Sequence, residues 1–395
     1  MTDVKPIVCI ATGTRADWGL LQPIASELQT RGNVEVRVLA TNMHLLEGYG
    51  NTLSEITAAG FSPAVAVPIH PADTSSEPAD ELSRARAMGR CLTLTAEALS
   101  EMRPDALVLL GDRYEMLAVA SAAAMLRIPV VHLCGGEVSE GAIDDKLRHA
   151  ITKLAGLHLV STEPYRRRVI QMGEAPESVI NIGSPGVWNL MNQPLMTRQE
   201  LAGSTGIDPE RLFAVVTYHP ATLADGDPGR LCTEMFRALD SFPGLDLLVT
   251  YPNNDAGSHR IIEVIEREAA AQPGRITLIK SLGMRRYLSA ITHAAVVVGN
   301  SSSGIIEVPA AGTPVVNIGS RQQGRLHSPL VIDCGDSADE ISAALNLALT
   351  PEFLADNADT ENPYSRPDTP RVAAEAIERF AVNGSASKHF HDLSL

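Results

Sequence analysis

Residues 7–21, IVCIATGTRADWGLL, have the pattern of a β-strand, a turn and the start of a helix. The apolar run IVCIA shows no alternation with polar residues, which is typical of a strand covered on both faces of a parallel sheet. A short polar turn with one glycine follows, and then a pattern that favours a helix. This opening therefore predicts an α/β protein with a parallel sheet.

The same alternation of short apolar runs and longer helical patterns continues toward the C-terminus, with one interruption. From Gly183 to Gly206 prolines and glycines recur and no strong strand is present. The other strands predicted before the interruption are Val34–Ala40, Ala106–Leu110, Val130–Leu133 and Leu157–Val160. Those predicted after it are Phe213–Thr217, Leu245–Thr250, Ile276–Ile279, Ala295–Val298 and Val315–Ile318.

We therefore predict an α/β fold of two Rossmann-like domains that face each other across a cleft. The length of 395 residues agrees with two domains, at roughly 150 residues per domain. The predicted division is 1–183 for the N-terminal domain, 184–206 for a linker, 207–368 for the C-terminal domain, and 369–395 for a final helix and tail. Because ligands of such sheets bind beyond the carboxyl ends of the strands, functional residues should follow the strands.

Charge and cysteine content exclude several classes of protein. Lys and Arg number 32 against 47 Asp and Glu, a net charge of −15, which argues against partners such as nucleic acid or an anionic membrane. The five cysteines are scattered without a C-x-x-C pair, so neither a disulfide framework nor a zinc knuckle fits. No apolar stretch reaches the ~18 residues of a membrane span. We expect a cytoplasmic protein that requires no cofactor and no metal.

Polar clusters follow three strands of the N-terminal half. Gly13 and Arg15 could bind a phosphate or form an ordinary βα turn. The stretch Gly111–Glu115 could face a cleft or cap a helix. In Cys134–His149 a glycine-rich turn precedes several carboxylates, and crowded carboxylates acquire the separated pKa values that acid–base chemistry needs. For Glu137 with an aspartate we favour a catalytic role.

Four further clusters follow strands of the C-terminal half. His219 could donate to a phosphate or a hydroxyl or have a structural role, and Asn253 stands either in a polar turn or in a sugar-contacting loop. The stretch Gly299–Glu307, GNSSSGIIE, offers hydroxyls and backbone N–H groups that suit a pyrophosphate, although Ser N-capping explains it too. It lacks the Gly-Lys-Ser/Thr ending of a Walker loop, so ATP or GTP hydrolysis is not expected. Arg321 adds a cationic donor.

The stretches GTRADWGLL, GDRYE, GGEVSEGAIDDKLRHAITK and GNSSSGIIEVPAAGTPVVNIGSRQQGR follow one another in this order. Together they resemble the UDP-N-acetylglucosamine 2-epimerase family, in particular its hydrolysing branch. The resemblance implies a glycosyltransferase-B type architecture, UDP on the C-terminal domain, the hexose on the N-terminal domain, and a homodimer or homotetramer. It implies UDP contacts from Arg15, His219, Asn253, Ser301, Ser302, Glu307 and Arg321, and places Asp112, Glu137 and Asp144 around the hexose.

Local departures from the family bear on the substrate. Cys134 replaces a glutamate typical of sialic-acid pathway enzymes, whereas the form Ser139–Gly141 is closer to legionaminic-acid pathway enzymes. We predict a hydrolysing 2-epimerase that converts UDP-N,N'-diacetylbacillosamine to 2,4-diacetamido-2,4,6-trideoxymannose and UDP. The alternatives are a hydrolysing UDP-N-acetylglucosamine 2-epimerase that forms N-acetylmannosamine, a non-hydrolysing 2-epimerase, and a glycosyltransferase of the same fold.

The predicted site joins both halves of the chain. The catalytic residues are Asp112, Glu137, Asp144 and His219, without an assignment of the base at C2. Arg113 joins the residues that bind the nucleotide sugar. The expected mechanism is elimination of UDP followed by hydration of the resulting glycal.

Overall fold

The computed structural model describes residues 5–46, 52–70, 80–221, 226–253, 255 and 257–393. The chain divides into two compact units. Unit 1 consists of Met1–Glu137, Asp144–Asn189 and Arg366–Leu395, and unit 2 consists of Val138–Ile143 and Leu190–Ser365. Each unit has its own sheet and its own apolar core.

Unit 1 is built, in its described residues, on a parallel sheet of seven strands in the order β3-β2-β1-β4-β5-β6-β7. The strand order reverses direction between β1 and β4, and such a switch point opens a crevice for ligands at the carboxyl ends of the strands. The strands are β1 Ile7–Thr12, β2 Glu35–Thr41, β3 Pro63–Val67, β4 Ala106–Leu110, β5 Val130–Leu133, β6 Leu157–Val160 and β7 Val179–Asn181.

Helices cover both faces of this sheet, because the strands are apolar on both sides. All five residues of β4 are buried, and separate apolar clusters lie on its two faces, one around Val108 and the other around Leu107 and Leu109. The helices are α1 Arg15–Arg31, α2 Leu53–Ala58, α3 Glu81–Met102, α4 Tyr114–Met125, α5 Asp144–Leu154, α6 Glu163–Gln171, α7 Pro185–Asn192, which runs on into unit 2, and, from the end of the chain, α15 Thr369–Asn383.

Unit 2 has the same architecture. Its described residues form a parallel sheet of six strands in the order β10-β9-β8-β11-β12-β13. Its switch point lies between β8 and β11. The strands are β8 Phe213–Thr217, β9 Asp246–Thr250, β10 Ile276–Ile279, β11 Val296–Gly299, β12 Val315–Ile318 and β13 Val331–Cys334. The helices are α8 Arg198–Thr205, α9 Pro228–Leu239, α10 Ser258–Ala271, α11 Gly283–His293, α12 Ser302–Ile306, α13 Ala338–Ala348 and α14 Pro351–Asp356.

All ten strands predicted from the sequence are confirmed within a residue or so of their ends. The sequence analysis missed β3, β7 and β13, which lie at sheet edges and have at most five residues. Short edge strands leave little periodicity to recognise. The predicted fold class is confirmed by the two parallel sheets with their flanking helices.

The units differ from the predicted division in three places. The segment predicted as a linker, 184–206, contains the helices α7 and α8, and the chain passes from unit 1 to unit 2 within it. Residues 138–143, predicted in the N-terminal domain, lie in unit 2. The final helix α15 lies in unit 1, where Ala373, Ala374 and Ile377 join the core around Leu21 and Ile24.

Candidate functional site

The turn after β1 holds Arg15 at the switch point of unit 1. Thr14 caps α1 in a capping box with Asp17, and Arg15 is the first residue of the helix. The Arg15 Nη1 atom lies 3.4 Å from Glu55 Oε1. A Cβ atom on Gly13 would lie 2.7 Å from Glu115 Oε1, so the turn approaches this carboxylate more closely than a side chain would allow.

Glu115 is a fully buried carboxylate whose role the sequence analysis did not assign. Its Oε1 accepts hydrogen bonds from Arg113 Nε (2.7 Å) and from Asn42 Nδ2 (2.7 Å). Burial raises the pKa of the nearby Asp17 to about 6, although the Arg113 guanidinium acts to lower it. Arg113, one of the predicted binding residues, is therefore held at the end of β4 by a buried carboxylate.

Arg148 of α5 binds two carboxylates and one backbone oxygen of unit 1. Its side chain is only 1% exposed, and its guanidinium donates to the Asp112 carboxylate, to Asp145 Oδ1 (3.0 Å) and to the backbone oxygen of Glu137 (2.9 Å). A buried guanidinium that donates several hydrogen bonds is held in one orientation. Arg148 therefore fixes Asp112 and the backbone of Glu137 relative to each other.

The two predicted carboxylates differ in environment. Asp112 follows β4 directly and is 27% exposed, so it is accessible from solvent. Glu137 is buried, and its Oε1 accepts a hydrogen bond from Ser161 Oγ at the end of β6 (2.8 Å). The third predicted carboxylate, Asp144, begins α5 one turn before Arg148.

His132 supports the turn that leads to Asp112. Its Nε2 lies 2.8 Å from the carbonyl oxygen of Gly111 and its Nδ1 lies 3.2 Å from Thr152 Oγ1. Because a carbonyl only accepts, Nε2 bears the proton, and Nδ1 lies unprotonated beside Thr152 Oγ1, whose hydroxyl donates to the backbone oxygen of Arg148 (3.1 Å). Burial lowers the pKa of His132 from 6.5 to about 3, so the ring is neutral at physiological pH.

We expect the free energy of unfolding to fall as the pH decreases from about 6.5 toward 3, in part because of His132. The unfolded histidine takes up a proton in this range and the folded one does not, which costs about 1.4 kcal/mol per pH unit. Gln at this position keeps an N–H donor for the Gly111 carbonyl but has no titratable group, so His132→Gln should lower the slope of stability against pH. Urea unfolding at several pH values between pH 7 and pH 4.5 measures this slope. The exposed His389→Gln should keep the wild-type slope, and equal slopes for wild type and His132→Gln would contradict the assignment.

In unit 2 the ends of β8 and β11 are joined by a reciprocal pair of hydrogen bonds. The backbone N–H of His219 donates to Asn300 Oδ1 (2.7 Å), and Asn300 Nδ2 donates to the backbone oxygen of His219 (2.9 Å). The backbone N–H of Asn253 donates to His219 Nδ1 (3.3 Å). The neutral ring therefore bears its proton on Nε2, and the predicted residues His219 and Asn253 are adjacent.

The loop after β12 contacts the same strand end. Arg321 Nη1 and Gln322 Nε2 both donate to the backbone oxygen of Asn300, at 3.0 and 2.9 Å. Two of the predicted residues carry hydroxyls at the start of α12. Ser301 is the N-cap of this helix and Ser302 is its first residue. The predicted Glu307 ends this helix and is largely buried.

The predicted residues of each unit therefore follow the carboxyl ends of its strands, at the switch point or beyond it. Arg15, Asp112 and Arg113 follow β1 and β4 in unit 1, and Glu137 and Asp144 lie on either side of the loop before α5. His219, Asn253, Ser301, Ser302 and Arg321 follow strands of unit 2, and Glu307 lies one helix further on.

The described part of the chain contains no group of three or more His, Cys, Asp or Glu side chains arranged to hold a metal ion. None of the helices in these residues is both long enough and apolar enough to span a membrane.

The two parallel sheets and their polar switch points define an α/β protein with two Rossmann-like units of the glycosyltransferase-B class. A UDP-GlcNAc 2-epimerase from Neisseria meningitidis, solved with UDP-GlcNAc bound, has the same fold with a TM-score of 0.78. The match covers 94% of this chain and 100% of that one at 16% identity.

The sequence profile of the UDP-N-acetylglucosamine 2-epimerase family matches residues 26–378. The chain belongs to this family. It is 38% identical over 346 residues to a UDP-N,N'-diacetylbacillosamine 2-epimerase (hydrolyzing) of Legionella pneumophila, which covers 88% of this chain and 89% of the relative. It is 36% identical over 329 residues to a GDP/UDP-N,N'-diacetylbacillosamine 2-epimerase (hydrolyzing) of Campylobacter jejuni, which covers 83% of this chain and 84% of the relative.

Proposed function

We propose that this protein is a hydrolysing 2-epimerase that converts UDP-N,N'-diacetylbacillosamine and water to 2,4-diacetamido-2,4,6-trideoxymannose and UDP. The substrate follows from the two hydrolysing relatives, which match more than four fifths of the chain. The observation that supports the chemistry most directly is the Arg148 cluster, because it holds two carboxyl-bearing residues at the switch point of a Rossmann-like sheet.

We propose that unit 2 binds the UDP moiety. The His219 Nε2–H group and the Arg321 guanidinium are donors suited to diphosphate oxygens. The hydroxyls of Ser301 and Ser302 add donors, Asn253 stands beside His219, and Glu307 is the group for the ribose hydroxyls. From unit 1, Arg15 and Arg113 supply cationic donors to the same substrate, while Asp112, Glu137 and Asp144 act on the hexose.

The chemistry must invert C2, whose C–H bond is not acidic in the intact sugar. When UDP leaves with the electron pair of the C1–O bond, charge develops at C1 and the C2 proton becomes removable. A carboxylate takes this proton and a 2-acetamido-glycal forms. Arg15, the Ser301–Ser303 turn and Arg321 stabilise the departing diphosphate, and preorganised groups of this kind contribute a large catalytic effect.

The second half-reaction returns a proton to C2 and adds water to C1. The proton must arrive on the face opposite to the one from which it was removed, because the configuration inverts. One carboxylic acid and one carboxylate are needed for this relay. Asp112 and Glu137 are the pair that Arg148 holds together, and Asp144 is the third acidic group of the site.

The test is turnover of UDP-N,N'-diacetylbacillosamine and UDP-N-acetylglucosamine, side by side, in D2O and in water labelled with ¹⁸O. We expect faster UDP release from the first sugar, deuterium at C2, and the oxygen label on C1 of the free sugar. A label in UDP would mean cleavage of a P–O bond and would exclude the mechanism. Faster turnover of UDP-N-acetylglucosamine would assign that substrate instead. A product that remains linked to UDP would indicate a non-hydrolysing epimerase, and a requirement for an acceptor would indicate a glycosyltransferase.

We further propose that the protein works as a homodimer or homotetramer in the cytoplasm. The five cysteines are free thiols, which suits a reducing compartment. The oligomeric state follows from the family resemblance.

A further inference from the structure

The chain leaves unit 1 between two of its acidic residues. Glu137 and Asp144 belong to unit 1, whereas the six residues between them, Val138–Ile143, belong to unit 2. We call these six residues the crossing segment. Because they directly connect the two carboxyl-bearing residues, whatever holds the crossing segment also limits where those residues can lie.

The crossing segment is held by the loop that follows β12, Gly319–Arg325, which we call the arginine loop. The backbone N–H of Glu140 donates to the backbone oxygen of Gln323 (3.2 Å). Arg325 Nε donates to the backbone oxygen of Val138 (3.2 Å), and Arg325 is only 7% exposed. A charge-assisted hydrogen bond from a largely buried guanidinium is stronger than one between neutral groups and costly to lose.

Glycines allow the two backbones to approach closely. A Cβ atom on Gly141 would lie 2.5 Å from the backbone oxygen of Ser320. Gly324 has a φ of +81°, and a Cβ atom there would lie 2.7 Å from Val138 Cγ1. The neighbour of Gly141 is therefore a backbone atom, which cannot shift cheaply, and the neighbour of Gly324 is the Val138 side chain.

The arginine loop has a second contact, on the side of the proposed nucleotide site. Its residues Arg321 and Gln322 donate to the backbone oxygen of Asn300, which is paired with His219. One seven-residue loop therefore contacts both Asn300, the partner of His219, and the crossing segment.

We propose that Arg325 and the crossing segment are positioning elements that transmit the binding of the diphosphate to Glu137 and Asp144. This inference rests on the proposed function. When the UDP-sugar orders the arginine loop, the loop fixes the crossing segment, and the carboxylates take their places at the hexose. After UDP has left C1, the same contact keeps them in place until the glycal is hydrated.

The experiment compares Arg325→Met with Arg325→Gln in the full-length protein. Both changes remove the positive charge, but only glutamine keeps an N–H donor the same number of bonds from Cα as Arg325 Nε. We expect Arg325→Met to lower kcat about tenfold, with the Kd for UDP within about threefold of wild type and with more free glycal released per turnover, because the lost hydrogen bond orients the carboxylates and does not bind UDP. Arg325→Gln should recover most of kcat.

A glycine pair provides an independent measurement. Gly141→Ala should act like Arg325→Met, because its methyl group meets the Ser320 carbonyl. Gly203→Ala in α8 meets nothing within 4 Å and should behave as wild type. Wild-type kcat and glycal release in both Arg325→Met and Gly141→Ala would overturn the inference, as would equal losses in Arg325→Met and Arg325→Gln. Failure of the proposed function is distinct, because the wild-type protein itself would then release no UDP from either sugar.

Discussion

Asp112→Asn and Glu137→Gln are each expected to lower kcat by about 10³-fold, while the Kd for UDP stays within about threefold of wild type. Each change replaces a carboxyl oxygen by an amide nitrogen of nearly the same size, so the packing is kept and the capacity to exchange a proton is lost. Asn at position 112 can still accept a hydrogen bond from Arg148, and Gln at position 137 can still accept one from Ser161.

The loss of turnover should therefore reflect the chemistry rather than the fold. Steady-state UDP release gives kcat, isothermal titration calorimetry gives the Kd for UDP, and deuterium exchange at C2 reports the proton step alone. Matched controls are Glu361→Gln and Asp359→Asn, which make the same substitutions at exposed positions. An unchanged kcat in Asp112→Asn and Glu137→Gln would remove both residues from the proposed proton relay.

The second large effect is expected from Gly299→Ala, at the end of β11. Gly299 has a φ of +138°, and a Cβ atom there would lie 1.9 Å from the backbone oxygen of Thr217 in the neighbouring strand β8. The strand ends must separate to admit a methyl group, which breaks the pairing of Asn300 with His219. We expect the free energy of unfolding to fall by about 3 kcal/mol or more, and binding of UDP to be lost.

Thermal unfolding and calorimetry with UDP measure these two consequences separately. Gly274→Ala is the matched control, since a Cβ atom there meets nothing within 4 Å, and it should match wild type in both measurements. A Gly299→Ala protein with wild-type Tm and wild-type Kd would show that the β8 and β11 ends tolerate separation.

The sequence predicted the strands and the polar residues that follow them, because both depend on local pattern. Buried apolar runs are recognisable in one dimension, and the residues after them occupy the carboxyl edge of the sheet by geometry alone. Asp112, His219 and Ser301 could be selected on this ground.

The residues that hold these groups could not be selected in the same way. Arg148 contacts Asp112 across 36 positions of sequence, and Asn300 contacts His219 across 81. Glu115 and His132 lie inside ordinary helix and strand patterns, where a buried charged or aromatic polar side chain has no local signature. Their roles depend on long-range contacts that only the folded chain brings together.

The division into units shows the same limit. A scan along the chain places boundaries where composition changes, so it gives contiguous domains. It has no means to detect that the six residues after Glu137 belong to unit 2, or that α15 returns to unit 1.

The return of α15 has a consequence for synthesis on the ribosome. Ala373, Ala374 and Ile377 fill the core of the first sheet, and Glu378 binds Arg31 through two hydrogen bonds of 3.0 and 3.1 Å. The first sheet is thus translated early but lacks part of its interior until the last helix emerges, after all of the second sheet. Since domains generally fold as units, the second sheet can complete its folding before the first. Until α15 has been synthesised, the amino-terminal half of the nascent chain must remain soluble with an uncovered apolar face.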